Sequence, residues 1–383
     1  MSQKRESVSQ SLWRLAKYVM VWRIVLTLVV AGAIYFLPYK PSFPFWDLIL
    51  IPMGPRLVHA WGNFDGVHYL VIATHGYQSA FSGLTQAFFP LYPLMIRWLT
   101  PLVTNMVVTG VVISTVCFWL GLVLLERLLS FDEKKDAVRR TVFLFLLAPT
   151  SFFFTSVYNE SLFFLLMILT FYWARSGRFW WAGIFGALAT ATRIVGVFLI
   201  PAIIVEFFQQ RQKRNLGWSG ILAGFLPLVG IGSYMYYLKR VFGDPLLFYH
   251  VQSELGVGRE NRLILFYQVL WRYGKMLIDV PKNNLLFYTV TLELASALVV
   301  LGLLIWAAKK LRSSYVLYGI LAFLAPTLTG TFTSMPRYVL VLFPAYIIAA
   351  REIKGKRFFW LALFSGILLI INTALFIQGY WVA

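Results

Sequence analysis

One carboxylate stands out in an oily chain. Asp65 lies in WGNFDGVHYL (residues 61–70), with Trp61, Phe64 and Tyr69 around it and His68 three residues on. If the stretch is helical, His68 sits one turn from the acid. Desolvation is expected to push the proton affinity of such a half-sunk carboxylate upward, which suits a general base that takes a proton from an attacking hydroxyl. A helix cap or a loop salt bridge is the plainer reading of the same residue. Arg193 in ALATATRIVGVFLIP and Arg337 in TFTSMPRYVLVLFP each interrupt an apolar stretch. An ionisable group in such a segment points to function, with snorkelling to the interface as the alternative. A guanidinium offers phosphoryl oxygens a planar fork of donors, so two at one level point to a phosphate at the lipid surface. Glu160 closes the tight YNE turn (158–160), where an acid either caps the next helix or meets a substrate hydroxyl or a cation.

The elements that must position these groups are membrane helices. The chain has 383 residues, 60% hydrophobic and only 13% charged, with a mean hydropathy of +0.74. Such a chain cannot fold around one aqueous core without exposing large apolar surfaces. Divided at Gly, Pro and charge clusters, it gives eleven spans near 19–37, 106–127, 141–157, 160–175, 179–193, 195–208, 219–239, 286–308, 314–332, 338–350 and 358–380. The fold class expected is an all-α polytopic membrane protein. With the N terminus cytoplasmic on an uncleaved signal anchor, the turns ERLLSFDEKKDAVRR, RSGR, RQKRN, KKLRSS and REIKGKR fall inside and, with the tail, hold most of the 34 Lys and Arg. That is the positive-inside distribution.

Two longer regions, 38–105 and 240–285, then lie outside and form the expected catalytic face of a single transmembrane domain, 1–383. AFFPLYPLMIRWLTPLV (87–103) and LILFYQVLWRYGKMLI (263–278) read as interfacial helices rather than spans, the first for its prolines and Arg97, the second for its apolar and basic faces. All four histidines fall in outer regions. The net charge of +19 follows the membrane, so no nucleic-acid partner is expected. Cys117 is alone and forms no internal disulfide. Phosphate-loop, dinucleotide, zinc-protease and nucleophile-elbow motifs are missing, and GVGRE (256–260) lacks their context. No metal is expected at His68 and His75, whose spacing is poor for ligation. A lipid or solute transporter or flippase is the competing class, but its site would lie near the midplane at broken helices, whereas these polar residues gather at one surface.

FDGVHYLVIATHGY, AFFPLYPL, APTSFFFTSVYNESLF, ATRIVG and SMPRYVLVLFP, in that order across about residues 61–345, resemble the PIG-V type mannosyltransferase family. The resemblance implies a GT-C glycosyltransferase of prokaryotic type in the cell membrane. It implies a polyprenyl-phosphate sugar as donor, a glycan or glycolipid as acceptor, and a site on the outer face among membrane lipids. The family's catalytic acid falls in the first outer loop and matches Asp65. The expected substrate-binding residues are His68, Tyr69, Tyr92 of the FFPLYP segment, Glu160, Arg193 and Arg337. Mannose is implied by the resemblance, and inversion by the mechanism drawn from it. No cofactor is expected, because arginines can serve a phosphate leaving group.

Overall fold

The computed structural model describes residues 7–78, 84–255, 258–260 and 262–382, and among these the regular structure is helical, with no strand. The principal helices are α1 (Val8–Phe36), α2 (Asp65–His75), α3 (Leu91–Val103), α4 (Met106–Leu129), α5 (Lys135–Leu147), α6 (Glu160–Arg175) and α7 (Phe179–Thr190). They continue as α8 (Leu199–Arg214), α9 (Pro227–Phe242), α10 (Phe266–Asp279), α11 (Leu285–Ala308), α12 (Ser313–Thr327), α13 (Phe343–Glu352) and α14 (Gly355–Ile377). The chain is an all-helical polytopic membrane protein.

Each of the eleven expected spans coincides with a helical stretch. Among the described residues, six helices are long and apolar enough to cross a bilayer: Val8–Phe36, Met106–Leu129, Ile194–Gln212, Ser219–Phe242, Leu285–Ala308 and Gly355–Ile377. Several of the expected spans are interrupted, 219–239 among them at residues 224–226, and two of the breaks lie near the candidate charges. The stretch expected at 141–157 ends as an α-helix at Leu147, Ala148 turns extended (ψ 141°), and the chain goes on as the short turn Ser151–Thr155. Pro149 explains the break, since a proline disfavours helical dihedrals in the residue before it. The stretch expected at 338–350 enters through Met335–Tyr338 and Val339–Val341 before Phe343–Glu352 forms. Both irregular entries lie beside the charged residues singled out above.

The expected interfacial helices are α3 and α10. In α3 Tyr92 and Ile96 are buried while Trp98 and Leu102 are exposed; in α10 Val269 and Tyr273 face inward while Tyr267, Trp271 and Ile278 face out. Such one-sided helices with aromatics on the open face suit the headgroup zone.

Ion pairs define the two ends of the bundle. Arg14–Glu126 (2.9 Å), Arg175–Asp132 (2.5 Å), Arg312–Glu206 (2.6 Å), Lys310–Glu352 (2.8 Å) and Arg351–Glu133 (3.5 Å) join the basic turns at one end. Asp65, Glu160, Arg193 and Arg337 belong to the other, where α2 and α6 begin and α7 finishes.

Between the ends, helices approach closely at glycine. A Cβ placed on Gly230 of α9 would lie 1.9 Å from the Ala187 carbonyl oxygen of α7, and one on Gly183 of α7 would lie 2.2 Å from the Ala223 carbonyl oxygen. Small residues let backbones meet where lipid offers no hydrophobic drive for association. Gly230→Val is therefore expected to destabilise the purified protein by at least the about 1–3 kcal/mol typical of overpacking. Gly232→Ala, with nothing within 4 Å of the new methyl, should keep or raise the thermal midpoint, since alanine is favoured over glycine inside a helix by about 0.5–1 kcal/mol.

Candidate active site

Three local devices bring the first acid into place. Asn63, fully buried, donates from Nδ2 to the carbonyl oxygens of Phe376 (2.9 Å) and Ile377 (3.2 Å), and its own carbonyl accepts from Tyr158 Oη (3.0 Å). Phe64 then takes a left-handed conformation (φ +56°), uncommon for a residue with a Cβ, with its ring against Phe43, Phe376 and Trp381. Asp65 follows as the first residue of α2, where the helix N terminus favours a negative charge.

The opposing guanidinium is set by a second irregular turn. Ser334 is also left-handed (φ +65°), and its N–H donates to Glu293 Oε1 (3.2 Å). Tyr273 Oη donates to Glu293 Oε2 (2.5 Å) and accepts from the Phe332 N–H (3.1 Å). Thr150 Oγ1 donates to the Pro336 carbonyl (2.6 Å). The turn so held aims Arg337 inward, where Nη1 donates to Asp65 Oδ2 at 2.5 Å and Nε lies 3.0 Å from Glu160 Oε1. Arg193 Nη1 donates to the same Glu160 oxygen at 2.7 Å. Asn159 Nδ2 donates to the Thr192 carbonyl (2.8 Å), fastening the turn before Glu160 to the residue before Arg193.

The result is a chain of alternating charge, Asp65–Arg337–Glu160–Arg193. Its buried centre is Glu160, 1% exposed, and its open end is Asp65, 20% exposed at the side chain. Phe153, Tyr158 and Tyr338 present ring faces to Arg337 at 5.4–5.7 Å, and Tyr338 lies 5.6 Å from Arg193. Glu160 Oε2 and His68 Nδ1 are buried with no hydrogen-bond partner among the described residues. Orphaned polar atoms are rare in a packed interior, and here both border the same charged cluster.

The expected rise in Asp65 proton affinity is corrected by this geometry. Burial alone would raise it, but the charge of Arg337, that of His68 and the Arg337 hydrogen bond outweigh burial and hold the carboxyl below its ordinary range. His68 moves down, because burial disfavours its cation more than Asp65 restores it. The acid is therefore ionised, and its proton affinity depends on where Arg337 stands.

The other expected site residues sort by position. Tyr69 is buried in α2, edge-on to Phe88, Tyr92 and Tyr158, and within electrostatic reach of Asp65, Glu160, Arg193 and Arg337. Tyr92 is fully buried and its hydroxyl is taken up by the Gly110 carbonyl (3.0 Å) and Ser114 (2.8 Å), so it supports Tyr69 rather than opening onto the charges. Glu160 makes no cap; it meets two cations instead. Of the histidines, His68 stacks on Phe88 beside Asp65, His59 contacts the Gly54 carbonyl, and His250 pairs with Asp244. Asn63, Tyr158, Glu293 and Tyr338 were missed in the sequence. Glu293 carried a usable signal, an acid inside the apolar run TLELASALVV.

The fold and this site define a class: a helical integral membrane protein with a cluster of paired charges assembled at one end of its bundle. Residues 14–216 match the family described as Mannosyltransferase (PIG-V), and the chain belongs to that family. It is a membrane glycosyltransferase by that membership. The matched stretch contains Asp65, Glu160 and Arg193, and α12–α13 bring Arg337 to it from beyond the match. No curated protein sequence matches the chain.

The Asp65–Arg337 pair carries a pH signature. A carboxyl whose folded value is lowered contributes stability that is fully present above its unfolded value, about pH 4, and that is lost as pH falls through the folded value. Comparing thermal midpoints, wild type should lose more stability than Asp65→Asn on acidification below about pH 4, with a constant difference above it.

Proposed function

We propose that the chain moves a mannosyl group from a polyprenyl-phosphate donor to a hydroxyl of a glycan or glycolipid acceptor, at the outer face of the cell membrane and with inversion at the anomeric carbon, as a GT-C type enzyme. The observation that carries this reading is the ionised, partly open Asp65 held by Arg337 in a chain of this family. Family membership supports the sugar and the reaction class. The concentration of Lys and Arg at the opposite end of the bundle supports an outward site under the positive-inside rule.

In this mechanism the acceptor hydroxyl oxygen attacks the anomeric carbon while its proton passes to Asp65. The bond from that carbon to the phosphate oxygen breaks on the opposite face, and its electron pair leaves with the polyprenyl phosphate, which gains a negative charge. Arg337 and Arg193 supply the positive field that receives this charge, and their rigid pairing with Glu160 keeps that field oriented before the reaction begins. As the phosphate arrives, its negative charge offsets part of the positive field at Asp65 and the proton affinity of the acid rises, so donor binding readies the base while the Arg337–Asp65 pair stays in place. His68 Nδ1 and Glu160 Oε2, both without partners, serve as contacts for sugar hydroxyls, with Tyr69 shaping the wall behind them. No cofactor or metal is required in this scheme, since the arginines serve the leaving group.

Assayed with polyprenyl-phosphate mannose and a panel of lipid and glycan acceptors, Asp65→Asn should cut transfer by about 10²–10⁴, the usual span for a general base, while still binding donor. Retention of full transfer by that variant removes Asp65 from the mechanism. NMR of the product should give the anomeric configuration opposite to that of the donor.

A further inference from the structure

We propose that Arg259 is the direct ligand of the lipid-linked phosphate, with Tyr338 as the group that presents it. This deepens the reading above and rests on it for the identity of the ligand.

The guanidiniums differ in their partners. Arg193 and Arg337 are both held by carboxylates, and moving either onto a phosphate leaves Glu160 or Asp65 with less of its countercharge in a buried site, a costly exchange. Arg259 differs. Its Nη1 donates to Gln252 Oε1 and its Nη2 to Tyr338 Oη, both at 2.7 Å, and neither partner is a carboxylate. Glu293 lies within electrostatic range of Arg259, but its oxygens are occupied by Tyr273 and Ser334. Arg259 can therefore turn to an anion without breaking an ion pair. Its charge is felt at Asp65, and the Tyr338 ring that it touches through the hydroxyl stands 5.5 Å from Arg337 and 5.6 Å from Arg193. A phosphate on Arg259 is thus at the edge of the reactive cluster.

The segment around Arg259 is built to hold it there. Glu260 N–H donates to the Thr329 carbonyl (2.9 Å) and Ile264 N–H to the Leu328 carbonyl (3.0 Å), so the strap lies along the end of α12. Arg272 of α10 clamps it, reaching Glu260 Oε1 at 2.6 Å and the Gly330 carbonyl at 3.0 Å. Gly330 is left-handed (φ +100°), and a Cβ there would meet Arg272 Nη1 at 3.0 Å and the Gly258 carbonyl at 3.1 Å, so the clamp needs glycine. Beyond Arg259 the same strap, at Leu263 and Ile264, opens onto a groove of about 1150 Å³ along the apolar side chains Leu270, Trp271 and Ile278 of α10. A cation held by partners that are not carboxylates, beside an open apolar groove, fits a phosphate carrying a long hydrocarbon tail better than a free phosphate ion.

The test uses the purified full-length protein with farnesyl monophosphate as probe, read by calorimetric titration, with inorganic phosphate and farnesol as the comparison arms. Wild type should bind farnesyl monophosphate and bind the two half-ligands at least tenfold more weakly. Arg259→Ala should weaken the prenyl phosphate at least tenfold and Arg259→Lys should restore part of that loss. Arg240→Ala, an exposed arginine of α9 outside the groove lining, should bind as wild type does. In the transfer assay Arg259→Ala should raise KM for the donor at least tenfold while KM for the acceptor holds. If Arg259→Ala does not fold, Arg259→Lys and Arg259→Gln carry the same comparison. Unchanged affinity for farnesyl monophosphate in the variants, or equal binding of inorganic phosphate, overturns the proposal. If the probe binds through Arg259 yet wild type transfers no mannose, the transferase reading fails and the phosphate site stands.

Discussion

A carboxylate and a guanidinium that meet in a place with little water cannot be parted cheaply, and the pair formed by Asp65 and Arg337 governs the architecture around it. Leaving either partner alone in a buried site costs about 3–5 kcal/mol. Holding a residue with a Cβ in the left-handed region costs about 1–3 kcal/mol. Two such residues together cost about 2–6 kcal/mol, the same order as parting the charges, so Phe64 and Ser334 are kept left-handed by the pair together with the packing and hydrogen bonds around each turn. The buried hydrogen bonds of Asn63 and Glu293 exist on the same logic, since each fixes the turn that carries one member of the pair.

The two ends of the bundle use the same ionic chemistry for different work. At the basic end Arg312 forks onto Glu206, with Ser314 and Gln210 completing its shell, and the pairs there join neighbouring helices across their turns. At the other end the pairs form a linear chain, its terminal acid is partly accessible, and two buried atoms, Glu160 Oε2 and His68 Nδ1, are without partners.

How much of this was legible in the sequence follows from what kind of force decides each feature. The helices were readable because apolar length and the placement of Lys and Arg report directly on the bilayer. Asp65, Glu160, Arg193 and Arg337 were readable because a charge in an apolar stretch is conspicuous. Their mutual pairing was not, since Asp65 and Arg337 are far apart in the chain and neither sequence names its partner. That omission reversed the inferred effect of burial on Asp65: desolvation is visible in composition, whereas a countercharge is visible only in three dimensions. Tyr92 illustrates the same limit, because its aromatic neighbours suggested an open contact while its hydroxyl turned away to Gly110 and Ser114. Glu293 and Arg259 were passed over because one resembled an ordinary span residue and the other an ordinary loop charge.

The separation of 272 residues between Asp65 and Arg337 also sets a schedule for biogenesis. At about 5–20 residues per second of synthesis, the acid waits roughly 14–54 seconds for its cation to leave the ribosome. Phe376 and Trp381, which box the Phe64 ring, arrive later still. Throughout that interval the nascent loop must keep its carboxylate hydrated at the membrane surface or shielded by the insertion machinery, and the charged cluster is complete only when the final helix docks.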